Sequence, residues 1–312
     1  PGSIRQAIGV RDEIHHRHAI LAMNLSGGGG IEIWQYLSRK PATPVNAIQP
    51  GDPGIFATKI KTRNIKAAHE YFSSIGSLHL SPVYFTPENK NHFWVKDCFG
   101  NWFTIIESKE WFKKSKKHCG GVAGAIIGVS DMKKALPFYK EVLGINREIY
   151  NVTAPFQDLP DKFDNQKIYH RVLLKKEANT KGAFSKLLGD IEVELVQSMD
   201  ENGTHIFNDR YWGDCGFIHL CFDVIDMDGL LQKAEAAGFS FTVDSKGSFS
   251  MEQAAGRFCY MEDPDGTLIE LVETHKVPAI KKIGWYIDLK KRKQNLPLPS
   301  WMINCMGLSK IK

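Results

Sequence analysis

The stretch "GRFCYMEDPDGTLIELVET" (256–274) reads as two strands folded about a Pro264-Asp265-Gly266 turn, with a carboxylate, Glu270, inside the second strand. Side chains alternate along a strand, so Glu270 shares its face with Leu268 and Val272, opposite Ile269 and Leu271. A carboxylate facing a semi-apolar interior costs free energy unless it is paired or bound to a cation. A second strand signal, "GFIHLCFDV" (216–224), places His219 with Phe217 and Cys221 on one face, and Ile218, Leu220, Phe222 and Val224 on the other.

Working outward, the same layout recurs. "GIFATKIKTRNIKAAHEYFSSIG" (54–76) matches "GFIHLCFDVIDMDGLLQKAEAAG" (216–238): a strand, a polar helix start at Asn64 or Asp226, and an amphipathic helix ending at Gly76 or Gly238. "HFWVKDCFGNWFTIIES" (92–108) repeats the hairpin of 256–274, and "GAIIGVSDMKKALPFYKEVLG" (124–144) is a third strand-helix opening. "IHHRHAIL" (14–21) parallels "IYHRVLLK" (168–175), and "IEIWQY" (31–36) parallels "VELVQS" (193–198). Four units follow, near 1–45, 50–110, 120–200 and 213–275. "IYHR" lies about 45 residues into the third unit and "IHHR" only about 13 residues into the chain, so the first unit is read without its opening strand and helix. Prolines and glycines at 41–54 mark a linker, and "KKSKKHCGG" (113–121) marks the main boundary. The expected division is an N-terminal pair of units over 1–112, a C-terminal pair over 120–275 and a basic tail over 276–312.

With 312 residues, 43% of them hydrophobic, the chain has enough apolar material for a large core. No apolar run approaches the roughly 20 residues that span a bilayer, and "PGSIRQAIGV" lacks the layout of a signal peptide; a soluble, cytoplasmic protein without a membrane partner is expected. Six cysteines without a CxxC pair read as reduced thiols. The net charge of +5 is concentrated in the tail, where nine Lys/Arg face one acid, Asp288. No nucleic-acid motif accompanies them, so the lysines read as a solvated face while Trp285, Tyr286, Leu289, Trp301 and Met302 dock on the body.

A strand with a His, an acid opening a helix seven residues later, and a closing "DPDG...IEL" together resemble the vicinal oxygen chelate superfamily: glyoxalase I, bleomycin-resistance proteins, methylmalonyl-CoA epimerases and extradiol dioxygenases. The resemblance covers 14–275 and is strongest in the fourth unit. It implies an α+β fold of four βαβββ modules paired into two open-barrel domains, the first module incomplete. It also implies metal ligands on the first and last strands of each module. Those positions are His219 and Glu270 in the fourth unit, and Gly124 and Glu194 in the third. In the second unit they are Ala57 and Thr104, and the first unit keeps Glu32.

The expected metal set is therefore His219, Glu194 and Glu270 around one divalent ion, Zn, Ni, Fe, Mn or Co. Such an ion, touching two substrate oxygens, stabilises a developing enediolate while Glu194 or Glu270 moves the proton. Arg171, Arg210 and Arg257 are candidates to hold an anionic substrate group, and Phe217, Tyr211 and Trp212 to line the pocket. The leading expectation is a glyoxalase-like lyase or isomerase, monomeric or homodimeric, acting on a small molecule with vicinal oxygens. An extradiol dioxygenase is the alternative favoured by Tyr260, ten residues before Glu270, and by His205, 14 before His219. Gly124 stands where ring-cleaving members have a His, which leaves that ligand set incomplete. A non-catalytic binding protein of the bleomycin-resistance type is the third reading. Without metal, Glu270 is expected to pair with Arg257 across the hairpin.

Overall fold

The computed structural model describes residues 16–309 apart from 77–78, 161–162, 178–180, 247–249, 252–253, 281–284 and 294–295. The opening of the first unit lies outside the described residues, which there form only a hairpin, β1 (Arg17–Ala22) and β2 (Ile31–Tyr36). The second unit runs β3 (Gly54–Thr62), α1 (Ile65–Ile75), β4 (His79–Leu80), β5 (Tyr84–Phe85), β6 (Asn91–Lys96) and β7 (Trp102–Glu107). The third runs β8 (Cys119–Gly128), α2 (Met132–Pro137), β9 (Arg147–Pro155), β10 (Ile168–Lys176), α3 (Ser185–Leu188) and β11 (Ile191–Ser198). The fourth runs β12 (His219–Asp223), α4 (Met227–Ala236), β13 (Phe241–Asp244), β14 (Ser250–Met251), β15 (Ala254–Glu262) and β16 (Leu268–Ile280). The repeated α+β plan read from the sequence is the fold.

Local chemistry sets the helix ends. Asn64 and Asp226 accept hydrogen bonds from the Ala67 and Gly229 amides, each at 3.0 Å, and Gly76 stops α1 at a left-handed φ of 74°. Pro137 has no amide to donate, and past it α2 widens into a π-turn over Phe138–Val142 whose Phe138, Tyr139 and Val142 are buried.

The pairing of units differs from the expected division. β3 and β8 lie antiparallel at the centre of one sheet of order β4-β6-β7-β3-β8-β11-β10-β9, so the second and third units join and residues 113–121 cross between strands of that sheet. Glycine permits the contact: a Cβ on Gly128 would stand 1.9 Å from the Asp52 carbonyl oxygen. The fourth unit forms its own sheet, β12-β16-β15-β13. The β1–β2 hairpin of the first unit packs there, with Tyr36 against Gly213, Trp34 5.0 Å from Trp212, and Arg39 paired with Asp214, while its 24–29 loop hydrogen-bonds to residues 112–122.

One core cluster joins the helical sides of the third and fourth units through residues such as Ile127, Phe138, Tyr139, Met261 and Leu271. The tail docks as anticipated in part: β17 (Trp285–Asp288) pairs with β16, and Leu289, Leu298 and Ile303 are buried beside α5 (Ser300–Cys305). Trp301 departs from expectation and is 54% exposed. Among the described residues no helix is long and apolar enough to cross a membrane.

Candidate functional site

β12 and β16 run parallel with Cys221 beside Glu270, which brings a first-strand imidazole to a last-strand carboxylate. His219 Nε2 lies 3.1 Å from Glu270 Oε2, and the Tyr260 hydroxyl donates to Glu270 Oε1 at 2.8 Å from the facing position on β15. Burial alone would raise the Glu270 carboxyl, but the His219 and Tyr260 contacts hold it below its ordinary range. Burial and the adjacent Glu270 charge push the Tyr260 phenol well up.

Aromatic rings enclose the pair. Trp212 stacks on His219 with centroids 5.3 Å apart, and Trp34 of β2 lies 5.7 Å from the same imidazole. The buried His219 Nδ1 has no hydrogen-bond partner among the described residues. Glu32, two residues before Trp34 and hence on the same face of β2, is exposed, and its charge acts on Tyr260 and Cys221. Trp34 was missed as a site residue in the sequence, and Glu32 was read only as a ligand position of its own unit, because the pairing of the first unit with the fourth could not be read there.

Glu194 does not join this pair, and among the described residues no three His, Cys, Asp or Glu side chains gather to hold an ion. The expected set of His219, Glu194 and Glu270 is therefore not assembled. Glu194 lies on β11 in the other sheet, 2.9 Å from Lys59 Nζ and 2.6 Å from Arg171 Nη2, with Arg171 Nε donating to it at 2.7 Å. Arg171 also contacts Asp158 at 2.6 Å. Burial pushes the Lys59 ammonium down, but Glu194 and Glu192 hold it above its usual value. The same contacts keep Glu194 well below the carboxylate range against its own burial. Lys59 stands in "GIFATKIKT" where Cys221 stands in "GFIHLCFDV". The cation on this face is thus the chain's own ammonium. A charge at the middle of an apolar strand was the available signal, as it was for Glu270.

Gly124 has a physical reason as well. A Cβ there would sit 1.8 Å from the Glu192 carbonyl oxygen, so that ligand position admits no side chain.

The remaining candidates are engaged elsewhere. Arg257 faces Glu273 in register rather than Glu270, and donates to Asp244 and Asp228 at 2.6–2.9 Å. Arg210 donates to the Cys215 and Ile206 carbonyls and stacks on Phe207. With Arg171 consumed by Glu194 and Asp158, none of the three arginines presents its guanidinium to the His219 pair. Phe217 packs on Phe103, with centroids 5.4 Å apart. His205 accepts from the Phe207 amide at 3.2 Å and lies against the Gly266 turn; burial lowers its pKa.

Fold and site together define a protein of repeated strand-helix-strand modules, with titratable side chains on the inner faces of open sheets. Residues 117–271 match the Glyoxalase/Bleomycin resistance protein/Dioxygenase superfamily. Among solved structures, a putative dioxygenase from Bacillus subtilis subsp. subtilis str. 168 is similar over 94% of this chain and 82% of its own, with TM-score 0.53 and 12% identity. A mutant form of glyoxalase I from Zea mays is similar over 84% of this chain and 81% of its own, with TM-score 0.50 and 13% identity. At such identities the likeness is one of fold. None of the curated proteins matches.

Proposed function

We propose that the chain is a glyoxalase-type enzyme that uses a divalent metal ion to act on a small molecule with vicinal oxygens, at the face shared by the first and fourth units. The observation that carries this reading is the approach of His219 Nε2 to Glu270 Oε2, 3.1 Å, beneath Trp34 and Trp212. Two ligands held at roughly 2.1 Å from one ion and at right angles stand about 3.0 Å apart, so imidazole and carboxylate fit as neighbouring ligands. His219 and Glu270 would hold the ion, with Glu32 the nearest further carboxylate on the facing strand. When bound, the ion supplies a Lewis acid for the adjacent substrate oxygens.

The protein's own groups do the rest. Glu270 is the candidate to take and return the proton through its carboxylate, and Tyr260 donates to Oε1 so that the carboxyl keeps one orientation. Trp34 and Trp212 cover the pair and exclude water from it. The Lys59–Glu194–Arg171 cluster serves as a structural counterpart in the other sheet.

A second reading is favoured by the aromatic surround: a binding protein that holds an apolar, oxygen-bearing ligand against Trp34, Trp212 and Tyr260 without turnover. Equilibration with Zn, Ni, Fe, Mn or Co followed by desalting and elemental analysis tests the metal. About one equivalent is expected, lost in His219→Ala and kept in Glu194→Gln; no retained metal overturns the reading. For the reaction, exchange of the carbon-bound proton of α-hydroxyketones in D2O is followed by NMR. Exchange by the metal-loaded protein that disappears in Glu270→Gln is expected, and binding without exchange selects the second reading.

A further inference from the structure

A cleft of about 350 Å³ opens between the third and fourth units, on the side of β12 away from His219. Its apolar wall includes Ile145, Leu188, Phe222, Val224, Leu230 and Leu271. At one end, a methyl group placed on Gly144 would lie 3.5 Å from Lys176 Nζ and 4.0 Å from Lys233 Nζ, so two ammonium groups converge on the turn that ends the π-turn of α2. Lys176 Nζ donates to the Leu143 carbonyl at 3.3 Å. Burial and then the Lys233 charge lower its pKa, and neither lysine has an ion-pair partner among the described residues.

The acids that line the cleft do not neutralise this end. Glu177 is paired with Arg147, and Asp226 caps α4 through the Gly229 amide. Asp223 is held by a hydrogen bond to Thr274. Two unpaired cations side by side at the mouth of an apolar cavity repel each other, and an anion between them relieves both the repulsion and the missing hydrogen bonds. The volume falls in the range of small-molecule sites.

We propose that this cleft binds a small amphiphilic anion, its carboxylate or phosphate held between Lys176 and Lys233 and its apolar body laid against Phe222 and Leu230. The site is separate from the His219 face, so it stands or falls independently of the function proposed above.

Titration calorimetry of the whole chain with octanoate, octyl phosphate, octanol, acetate and inorganic phosphate tests it. Octanoate or octyl phosphate is expected to bind at one site at least tenfold more tightly than octanol and than acetate or inorganic phosphate; whichever binds more tightly identifies the head group. Lys176→Gln and Lys233→Gln should each weaken that binding about tenfold, with Lys176→Arg retaining most of it and melting temperatures showing that the variants are folded. Octanol binding as tightly as octanoate, the head-group anions alone binding as tightly as the amphiphiles, or affinity unchanged in both Gln variants overturns the proposal. Metal uptake at His219, measured in the same variants, should not change.

Discussion

Replacing Glu194 by Gln separates a structural carboxylate from a metal ligand. The substitution keeps size and hydrogen-bonding capacity but removes the charge that faces Lys59 at 2.9 Å and Arg171 at 2.6 Å in an interior where Glu194 is 2% exposed. Arg171 retains Asp158, whereas Lys59 keeps only Glu192, at 3.7 Å. Leaving one buried charge without its partner costs about 3–5 kcal/mol. At about 2 °C per kcal/mol for a chain of this size, melting should fall by about 6–10 °C. Adding Lys59→Met removes the stranded ammonium and should recover more than half of the loss, a double-mutant coupling that independent sites would not show. The pH dependence has a definite sign. Because the folded Glu194 and Asp158 pKa values are depressed, their stabilisation is complete above the unfolded values near 4 and is lost as pH falls through the folded ones. Differential scanning calorimetry from pH 3 to 8 should show this acid dependence shrinking in Glu194→Gln. An unchanged melting temperature, or loss of bound metal in this variant, would refute the assignment of Glu194 to the ion-pair cluster.

Three further outcomes are expected. Gly124→Ala should yield little folded protein, because its Cβ would fall 1.8 Å from a backbone oxygen, and Gly124→His should fail to create a metal ligand for the same reason; soluble expression and circular dichroism read both. Tyr260→Phe removes the 2.8 Å bond to Glu270 and should cost about 1–3 kcal/mol in urea unfolding, while any proton-exchange activity shifts its acid limb upward as the Glu270 pKa rises. Asp263 is held up at about 6 by burial, so its contribution to stability falls as pH rises from about 4 to 6; relative to wild type, Asp263→Asn should gain about 2–3 kcal/mol between pH 4 and 7 in urea midpoints.

The β-hairpin at 256–274 and the helix caps at Asn64 and Asp226 were legible from residue order, because strand alternation and capping are local properties, whereas His219 and Glu270 were brought together only by the family resemblance. Within the fourth unit, the first and last strands are hydrogen-bonded neighbours, which is why the two positions that the resemblance singled out meet. Glu194 shows where that reasoning stops. Its repeat position is right for a ligand, but whether it meets a metal or a lysine depends on which unit lies across from it.

That choice belongs to the tertiary structure. Four similar units offer several pairings of similar pattern, and adjacency along the chain does not determine adjacency in a sheet. Close backbone approach at Gly124 and Gly128 sets β8 against its neighbours, and with it Lys59 against Glu194. The sequence by itself determined the modules and the polar residues that their strands carry. Only the packing of one module on another decided which of those residues share a site, because the partners come from strands far apart in the chain.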